Sequence, residues 1–346
     1  MLKPRVAIIT GGDSPEAPGS YTTAQHVFDQ LDSAQYRRCL VELVDGHWRL
    51  MSADGFSRDQ VEQAEFDFSV FGFNIPGSAE MLRFDCALIA IHGYPGETGQ
   101  LQAYLDCVAV PYAGSRVLAS SLAMNKYLCK SVVRGAVEAD VPGDYLLAAY
   151  EGNETDLLEQ QFGYPLIVKP NSAGSGVGVS KVFDRTGLEA AIRQIEKLGD
   201  AALVEEHIIG QEVTVGVVQT GGKTTVLPVA EVFRPAEGPQ TASGAKTVQF
   251  TSRQNAELVV PADLQPEICN SLGKLATDIG ATVGCVGCYR VDFIIREDGR
   301  IFFLEVNTIP GMAEASVLTR QVEAAGMQLS DVIDEMLANA DYSVLR

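Results

Sequence analysis

Short apolar runs, punctuated by glycine and polar residues, alternate with stretches of helical period through the first third of the chain. Arg5–Thr10 is such a run and ends at Gly11–Gly12; Leu40–Val44, Cys86–Ile91 and Ala109–Tyr112 repeat the pattern and read as strands. Thr22–Leu31 and Leu101–Cys107 fall between them with helical spacing. Strands alternating with helices predict a small parallel α/β lobe, whose ligands sit beyond the carboxyl ends of its strands. Gly11–Glu16 and His92–Gly99 both lie at such ends.

From Ser115 the texture changes. Ser121–Gly135 is a helical stretch carrying Lys126 and Lys130, followed by the strand Pro165–Val168, the glycine-rich Asn171–Gly178 and a returning strand, Val179–Phe183. Leu188–Leu198 reads as helix, and Leu203–Glu205, Glu212–Gln219 and Thr224–Glu231 as strands of a second sheet. Pro235–Gln254 is polar and rich in Gly, Pro and Ser, and predicts a mobile loop. Ile268–Ile279 is helical, Tyr289–Ile295 and Arg300–Val306 pair as a hairpin, and a helix over Leu329–Ala338 follows.

A length of 346 residues points to two or three lobes, and an apolar share of 46% to an ordinary globular chain. The longest apolar runs, such as Phe84–Ile91, are far too short to span a bilayer, so no membrane partner is expected. Met1–Thr10 reads as a first strand and turn rather than a signal peptide. Seven scattered cysteines suit a reducing compartment, and the cytoplasm is expected. A net charge of −19 argues against a nucleic-acid partner, so any bound phosphate is small and held by a local group of basic residues.

The sharpest chemical signal is the hairpin. Asp298-Gly299 between two apolar runs predicts a two-residue turn, which sets Asp292 opposite Glu305 and Arg290 opposite Asn307, all on one face. Two facing carboxylates repel, and a divalent cation removes the conflict. Two acids and an amide, with room left for phosphate oxygens, suit Mg2+ rather than zinc. A solvent-facing acid pair neutralised by Arg290 is the plainer alternative.

A second signal is Lys169 at a strand end, followed by Gly174, Gly176 and Gly178, where backbone N–H groups can approach phosphate oxygens. No Gly-Lys-Ser/Thr follows, so this is not a Walker loop. Glu205, Glu206 and Glu212 lie between strands, where backbone groups suit an adenine edge and Glu212 suits ribose hydroxyls; taken alone, they equally describe a solvated acidic turn. Cys285-Val-Gly-Cys288 has CxxC spacing, but without a second pair or a nearby histidine two small buried residues are expected. His26, His47 and His207 are isolated and expected to be structural or exposed.

Taken together, Lys169…Gly178, Glu205…Glu212 and Arg290…Asn307 resemble an ATP-grasp domain. The flanking Gly11-Gly-Asp-Ser-Pro-Glu16, His92-Gly-Tyr-Pro-Gly-Glu-Thr-Gly99, Ala123-Met-Asn-Lys126 and Glu305-Val-Asn-Thr-Ile-Pro-Gly-Met312 resemble the D-alanine–D-alanine ligase family in order and spacing. The resemblance implies an N-terminal parallel α/β lobe (1–114) followed by a two-lobed α+β ATP-grasp domain, with a central part (115–204) and a C-terminal catalytic part (205–346). It implies Mg2+, or Mn2+, on Asp292, Glu305 and Asn307, and ATP phosphates on Lys126, Lys169 and Lys246 beside the loop of Gly174 and Gly176. Glu205, Glu212 and the backbone near Ile208 would hold the nucleoside. Glu16 would hold the ammonium of the first D-alanine with His92 nearby, and Ser175 and Glu16 correspond to the serine and glutamate that bond the family's lid tyrosine; Ser316 would bind the second substrate's carboxylate, and Arg290 and the Gly311 N–H the oxyanion. A homodimer is also implied.

The chain departs from the family pattern at Glu97-Thr-Gly99, at Gly174-Ser-Gly176 and at Thr247, where a tyrosine usually follows the loop lysine. The second substrate therefore stays open between D-alanine, D-serine and D-lactate, and a nucleotide-binding homologue without catalysis is a further alternative.

Overall fold

The computed structural model describes residues 3–174, 176–233, 247–249 and 257–340. The first lobe runs β1 (Arg5–Gly11), α1 (Ala17–Gln30), β2 (Arg37–Val44), β3 (His47–Ala53), α2 (Arg58–Glu62), β4 (Glu65–Asp67), β5 (Gly72–Asn74), β6 (Leu82–Arg83), β7 (Cys86–Ile89), α3 (Gln100–Cys107) and β8 (Tyr112–Ala113). Its main sheet has the order β3-β2-β1-β7-β8, parallel except where β3 returns antiparallel on β2. β1 is buried from Val6 onward because apolar cores cover both faces of the sheet, which is why its sequence is a continuous apolar run rather than an alternating one.

The second part contains α4 (Val117–Met124), α5 (Lys126–Ala136), β9 (Asp144–Leu147), α6 (Glu154–Phe162), β10 (Leu166–Pro170), β11 (Ser180–Val182), α7 (Arg185–Lys197) and β12 (Ala202–Glu206). The third contains β13 (Gly210–Thr220), β14 (Lys223–Val226), β15 (Ala230–Phe233), β16 (Thr247–Gln249), β17 (Glu257–Val259), α8 (Pro266–Val283), β18 (Gly287–Arg296), β19 (Ile301–Asn307), α9 (Val317–Ala324) and α10 (Leu329–Ala338). Two antiparallel sheets result, ordered β16-β11-β10-β12-β9 and β17-β15-β13-β18-β19.

Three differences from the expected elements have simple causes. The single helix expected over Ser121–Gly135 is two, because Asn125 leaves the helical conformation and its side chain accepts the Leu128 N–H at 3.0 Å, capping α5. The strand expected over Thr224–Glu231 breaks into β14 and β15, with Pro228 between them. Within the loop expected at Pro235–Gln254, Thr247–Gln249 forms an edge strand antiparallel to β11.

The packing ties the lobes together. α6 and α7 cover the first antiparallel sheet, while α4, α5 and α8 share a core with β13, β18 and β19. α9 and α10 pack with α1 and one face of the parallel sheet through Leu318, Val322, Val332 and Ile333, all fully buried. Each such side chain stabilises the fold by roughly 1.5–3 kcal/mol. The strand ends bearing Glu16 and His92 are thereby fixed against the hairpin bearing Asp292.

Candidate active site

The β18–β19 hairpin sets the register on which the site depends. Arg290 pairs with Asn307 and Asp292 with Glu305, as expected, but the turn differs. Arg296 N donates to Arg300 O at 2.9 Å, so the loop holds three residues, Glu297, Asp298 and Gly299, with Gly299 at φ +83°. That shift of one position is undone by a bulge at Leu304, since Phe293 pairs with Phe303 while Asp292 pairs with Glu305. Asp292 is fully buried on β18, flanked by Thr214 of β13 and Glu305 of β19. Its Oδ1 accepts from Thr214 Oγ1 at 2.6 Å and from Arg290 Nε at 3.2 Å.

Between the two antiparallel sheets lies a cavity of about 800 Å³. Lys126, Lys169, Gly176, Glu205, Ile208 and Glu212, all expected at a nucleotide site, line it together with Glu305, expected as a metal ligand. Ile167, Val179, Ile294 and Leu304 add an apolar wall suited to a flat ring. Lys126 opens α5, where its Nζ donates to the Ala173 carbonyl of the glycine-rich loop and stands 3.6 Å from Glu305 Oε2. Lys169 Nζ lies 2.8 Å from Glu205 Oε2. Burial alone would lower the Lys169 ammonium, but Glu205 and Glu305 outweigh it and hold its pKa above the ordinary lysine value.

Glu205 has different neighbours from those the sequence suggested. Its second oxygen accepts from Lys130 Nζ, so both carboxylate oxygens are held by lysines rather than turned to a nucleoside. Burial would raise its carboxyl, yet Lys130 and Lys169 hold it down at about 2. Lys130, fully buried, does not line the cavity but holds the inner oxygen of Glu205, a contact that sequence reasoning passed over; its spacing of four from Lys126 shows only that both share one helix face. His207, expected to be structural or exposed, also lines the cavity, its imidazole held neutral at about 4 by burial and by Lys181.

At the far side of the hairpin the parallel lobe contributes Glu16 and His92. A methyl group at Gly174 would lie 2.6 Å from Glu16 Oε2, so the glycine-rich loop closes directly onto this carboxylate. A methyl at Gly311 would lie 2.9 Å from Ser316 Oγ and 3.8 Å from His92 Cε1, which brings those three expected residues together. Ser316 is the N-cap of α9, yet its side chain makes no capping bond. The start of α9 is therefore suited to a carboxylate.

His92 Nδ1 lies 3.1 Å from the Ile309 carbonyl, which can only accept, so the proton sits on Nδ1 and Nε2 accepts from Thr23 Oγ1 at 3.0 Å. Burial, with Arg290 nearby, takes the imidazole down to about 4, and it is neutral at pH 7. Glu97, which the sequence marked only as part of a motif, is pushed up to about 8 by burial and by the Glu16 charge while accepting from Gly93 N at 2.7 Å.

Ser175, Lys246 and most of the expected lid lie outside the described residues. Cys285 and Cys288 are buried, their thiols pushed up to about 12 by burial. Among the described residues no helix is long and apolar enough to cross a membrane.

Two antiparallel sheets closing on a lysine-bearing cavity, behind a parallel α/β lobe, are the ATP-grasp arrangement. Comparison with known proteins agrees. Residues 5–115 match the D-ala D-ala ligase N-terminus family model and residues 147–338 the D-ala D-ala ligase C-terminus model. The D-alanine–D-alanine ligase of Phocaeicola vulgatus is 31% identical over 340 residues, 98% of this chain and 99% of that protein. The VanG D-Ala:D-Ser ligase of Enterococcus faecalis superposes with a TM-score of 0.82 at 24% identity, over 98% of this chain and 100% of that one, a likeness of fold alone. The D-alanine–D-alanine ligase of Bacillus anthracis complexed with ATP gives 0.72 at 27% identity, over 98% and 97%. The chain belongs to the D-alanine–D-alanine ligase family, whose members are ATP-dependent ligases.

Proposed function

We propose that this enzyme joins two D-alanines into D-alanyl-D-alanine for peptidoglycan precursor synthesis. The observation that carries the reading is the joining of two half-sites by one hairpin. Its Glu305 faces the lysine-bearing cavity, and Asn307 leads directly to Ile309 and Gly311 beside His92 and Ser316.

A carboxylate is a poor acyl donor, so the γ-phosphoryl group of ATP is transferred to the first D-alanine, forming an acyl phosphate. Lys126 and Lys169 hold the nucleotide phosphates and offset the charge on the moving group. Ile208 backbone and Glu212 receive the nucleoside, and Glu205 acts through Lys169. Glu16 takes the ammonium of the first D-alanine. Ser316 and the start of α9 take the carboxylate of the second, whose amine attacks the acyl carbon and expels phosphate. Arg290 and the Gly311 N–H stabilise the oxyanion. Lys246 and Ser175 keep the roles the resemblance gives them.

The donor set fits a hard divalent cation: two facing acids and an amide, all oxygen ligands. Asp292, Glu305 and Asn307 would hold Mg2+, or Mn2+. When bound, the ion supplies positive charge against the phosphate oxygens. Three segments, 1–114, 115–204 and 205–346, a homodimeric assembly and a cytoplasmic location complete the proposal.

The test is phosphate release from ATP and Mg2+ with D-alanine alone, then with D-serine or D-lactate added, and product masses determined. D-Alanyl-D-alanine from D-alanine alone is expected. Release that requires D-serine or D-lactate would reassign the second substrate. Thermal stabilisation by ATP without amino-acid-stimulated release would leave a nucleotide binder.

A further inference from the structure

Glu205 has two buried lysines where one would neutralise it. Its Oε2 meets Lys169 Nζ at 2.8 Å and its Oε1 meets Lys130 Nζ, with Lys130 and Glu205 0% and 3% exposed. Glu305 also acts on Lys169 but is shared with Lys126, so three lysines face two carboxylates and one net positive charge remains inside the protein, which costs stability unless a further anion offsets it. Lysine is also among the residues least often fully buried, so simple filling of space is a poor account of Lys130. Lys169 and Glu205 line the nucleotide cavity, while Lys130, which is not among the lining residues, holds the other oxygen of Glu205. Lys130 also sits one helical turn after Lys126 on α5, whose Nζ lies 3.6 Å from Glu305.

We infer that Lys130 is a positioning residue for the nucleotide's phosphates: by occupying one oxygen of Glu205 it leaves Lys169 with uncancelled positive charge at the cavity wall, and it clamps the helix bearing Lys126 to the strands bearing Lys169 and Glu205. This rests on the proposed nucleotide site. Without Lys130, Glu205 and Lys169 become a closed one-to-one pair, and the cavity loses a unit of charge facing the phosphates. Other charged groups around Lys130 do not replace it. Asp144 of β9 acts on Lys130 only through space: its Oδ1 is paired with Arg134 at 2.9 Å and its buried Oδ2 makes no hydrogen bond, while Lys169 is the group being balanced.

The experiment compares the full-length wild type, Lys130→Met, Lys130→Arg and the double variant Lys130→Met/Glu205→Gln. ATP affinity is read by calorimetry with Mg2+ present, KM for ATP and for D-alanine by phosphate release, and folding by thermal melting. Lys130→Met should weaken ATP binding at least ~10-fold, which is about 1.4 kcal/mol, and leave the KM for D-alanine within about twofold. Lys130→Arg should recover most of the affinity, since it keeps the charge. The double variant should bind ATP more tightly than Lys130→Met, because Lys169 no longer faces an unshared carboxylate. Wild-type-like ATP affinity in Lys130→Met overturns the inference, as does a double variant that binds no better than the single one. If Lys130→Met fails to fold, the ratio between the double variant and Lys130→Arg decides, with a loss above tenfold in the double variant overturning the charge-balance account. A wild type that binds no ATP would instead remove the nucleotide-site reading itself.

Discussion

Around the lysine-bearing cavity, Lys169 and Glu205 keep each other ionised although both are buried, whereas at the His92 end of the site burial strips charge from His92 and Glu97. The contrast follows from who the neighbours are. Glu205 meets two ammonium groups, so attraction outweighs desolvation; Glu97 meets Glu16, so desolvation and repulsion act together. The first end is preset for an anion by fixed charge. The second is preset by neutral hydrogen bonds, and in the proposed reading Glu16 is its carboxylate for an incoming ammonium. Neutral isosteres should therefore harm one end and relieve the other.

The largest effect is expected from Glu205→Gln. Two buried lysines would then share one neutral amide, and breaking a buried ion pair costs about 3–5 kcal/mol. Urea unfolding at pH 7 should show that loss. The carboxyl's depressed value of about 2 also gives a sign. Its contribution is present above the unfolded value near 4.5 and is lost as pH falls from there towards 2. The variant's deficit should shrink along that path.

Glu305→Gln comes next. It keeps the shape of the side chain but removes the charge facing Lys126 and one of the two facing acids. A fall in kcat of roughly 10²–10³-fold is expected, the scale for losing one electrostatic contributor to a transition state. Steady-state phosphate release checks this. A variant within threefold of wild type would remove Glu305 from the reacting centre.

Glu97→Gln should act in the opposite direction. The folded protein keeps the Glu97 proton to about pH 8, while the unfolded chain releases it near 4.5. Wild-type stability from this group is thus complete below 4.5 and is lost as pH rises through 8. Glutamine carries no such charge and can still accept the Gly93 N–H. The ligand-free variant should equal wild type near pH 4.5 and exceed it at pH 8, with about 5 kcal/mol as the upper bound set by the full shift. Equal melting temperatures across that range would mean that the two ends do not differ in the way described.

How far the sequence announces this contrast depends on the distance between partners. The parallel lobe and the hairpin were legible because their signals are local: continuous apolar runs, and Asp298-Gly299 between two of them. The facing of Asp292 and Glu305 followed from strand periodicity. The contact of Lys130 with Glu205 was not legible, because the two lie 75 residues apart and only tertiary packing joins them. The neutral state of Glu97 depends on burial beside Glu16, from a different strand end, which no spacing reveals. Thr247 appeared in sequence as part of a loop, and only its pairing opposite Val182 makes it a strand residue.

The smallest effect concerns the hairpin turn, where the expected register was right at the acids and wrong at the tip. Gly299 has φ +83°, and a methyl group there would meet nothing within 4 Å. Gly299→Ala therefore tests backbone conformation alone, at a cost of ~1 kcal/mol. Two different outcomes are possible for activity. If turn and acids formed one rigid register, a change at the tip would shift Asp292 against Glu305 and lower kcat. The bulge at Leu304 separates them, because it absorbs one residue of slip before the acids are reached. A melting temperature lowered by a few degrees with kcat and both KM values unchanged is the expected result. A drop in kcat beyond about threefold would mean that the bulge transmits strain instead of isolating the acids from the turn.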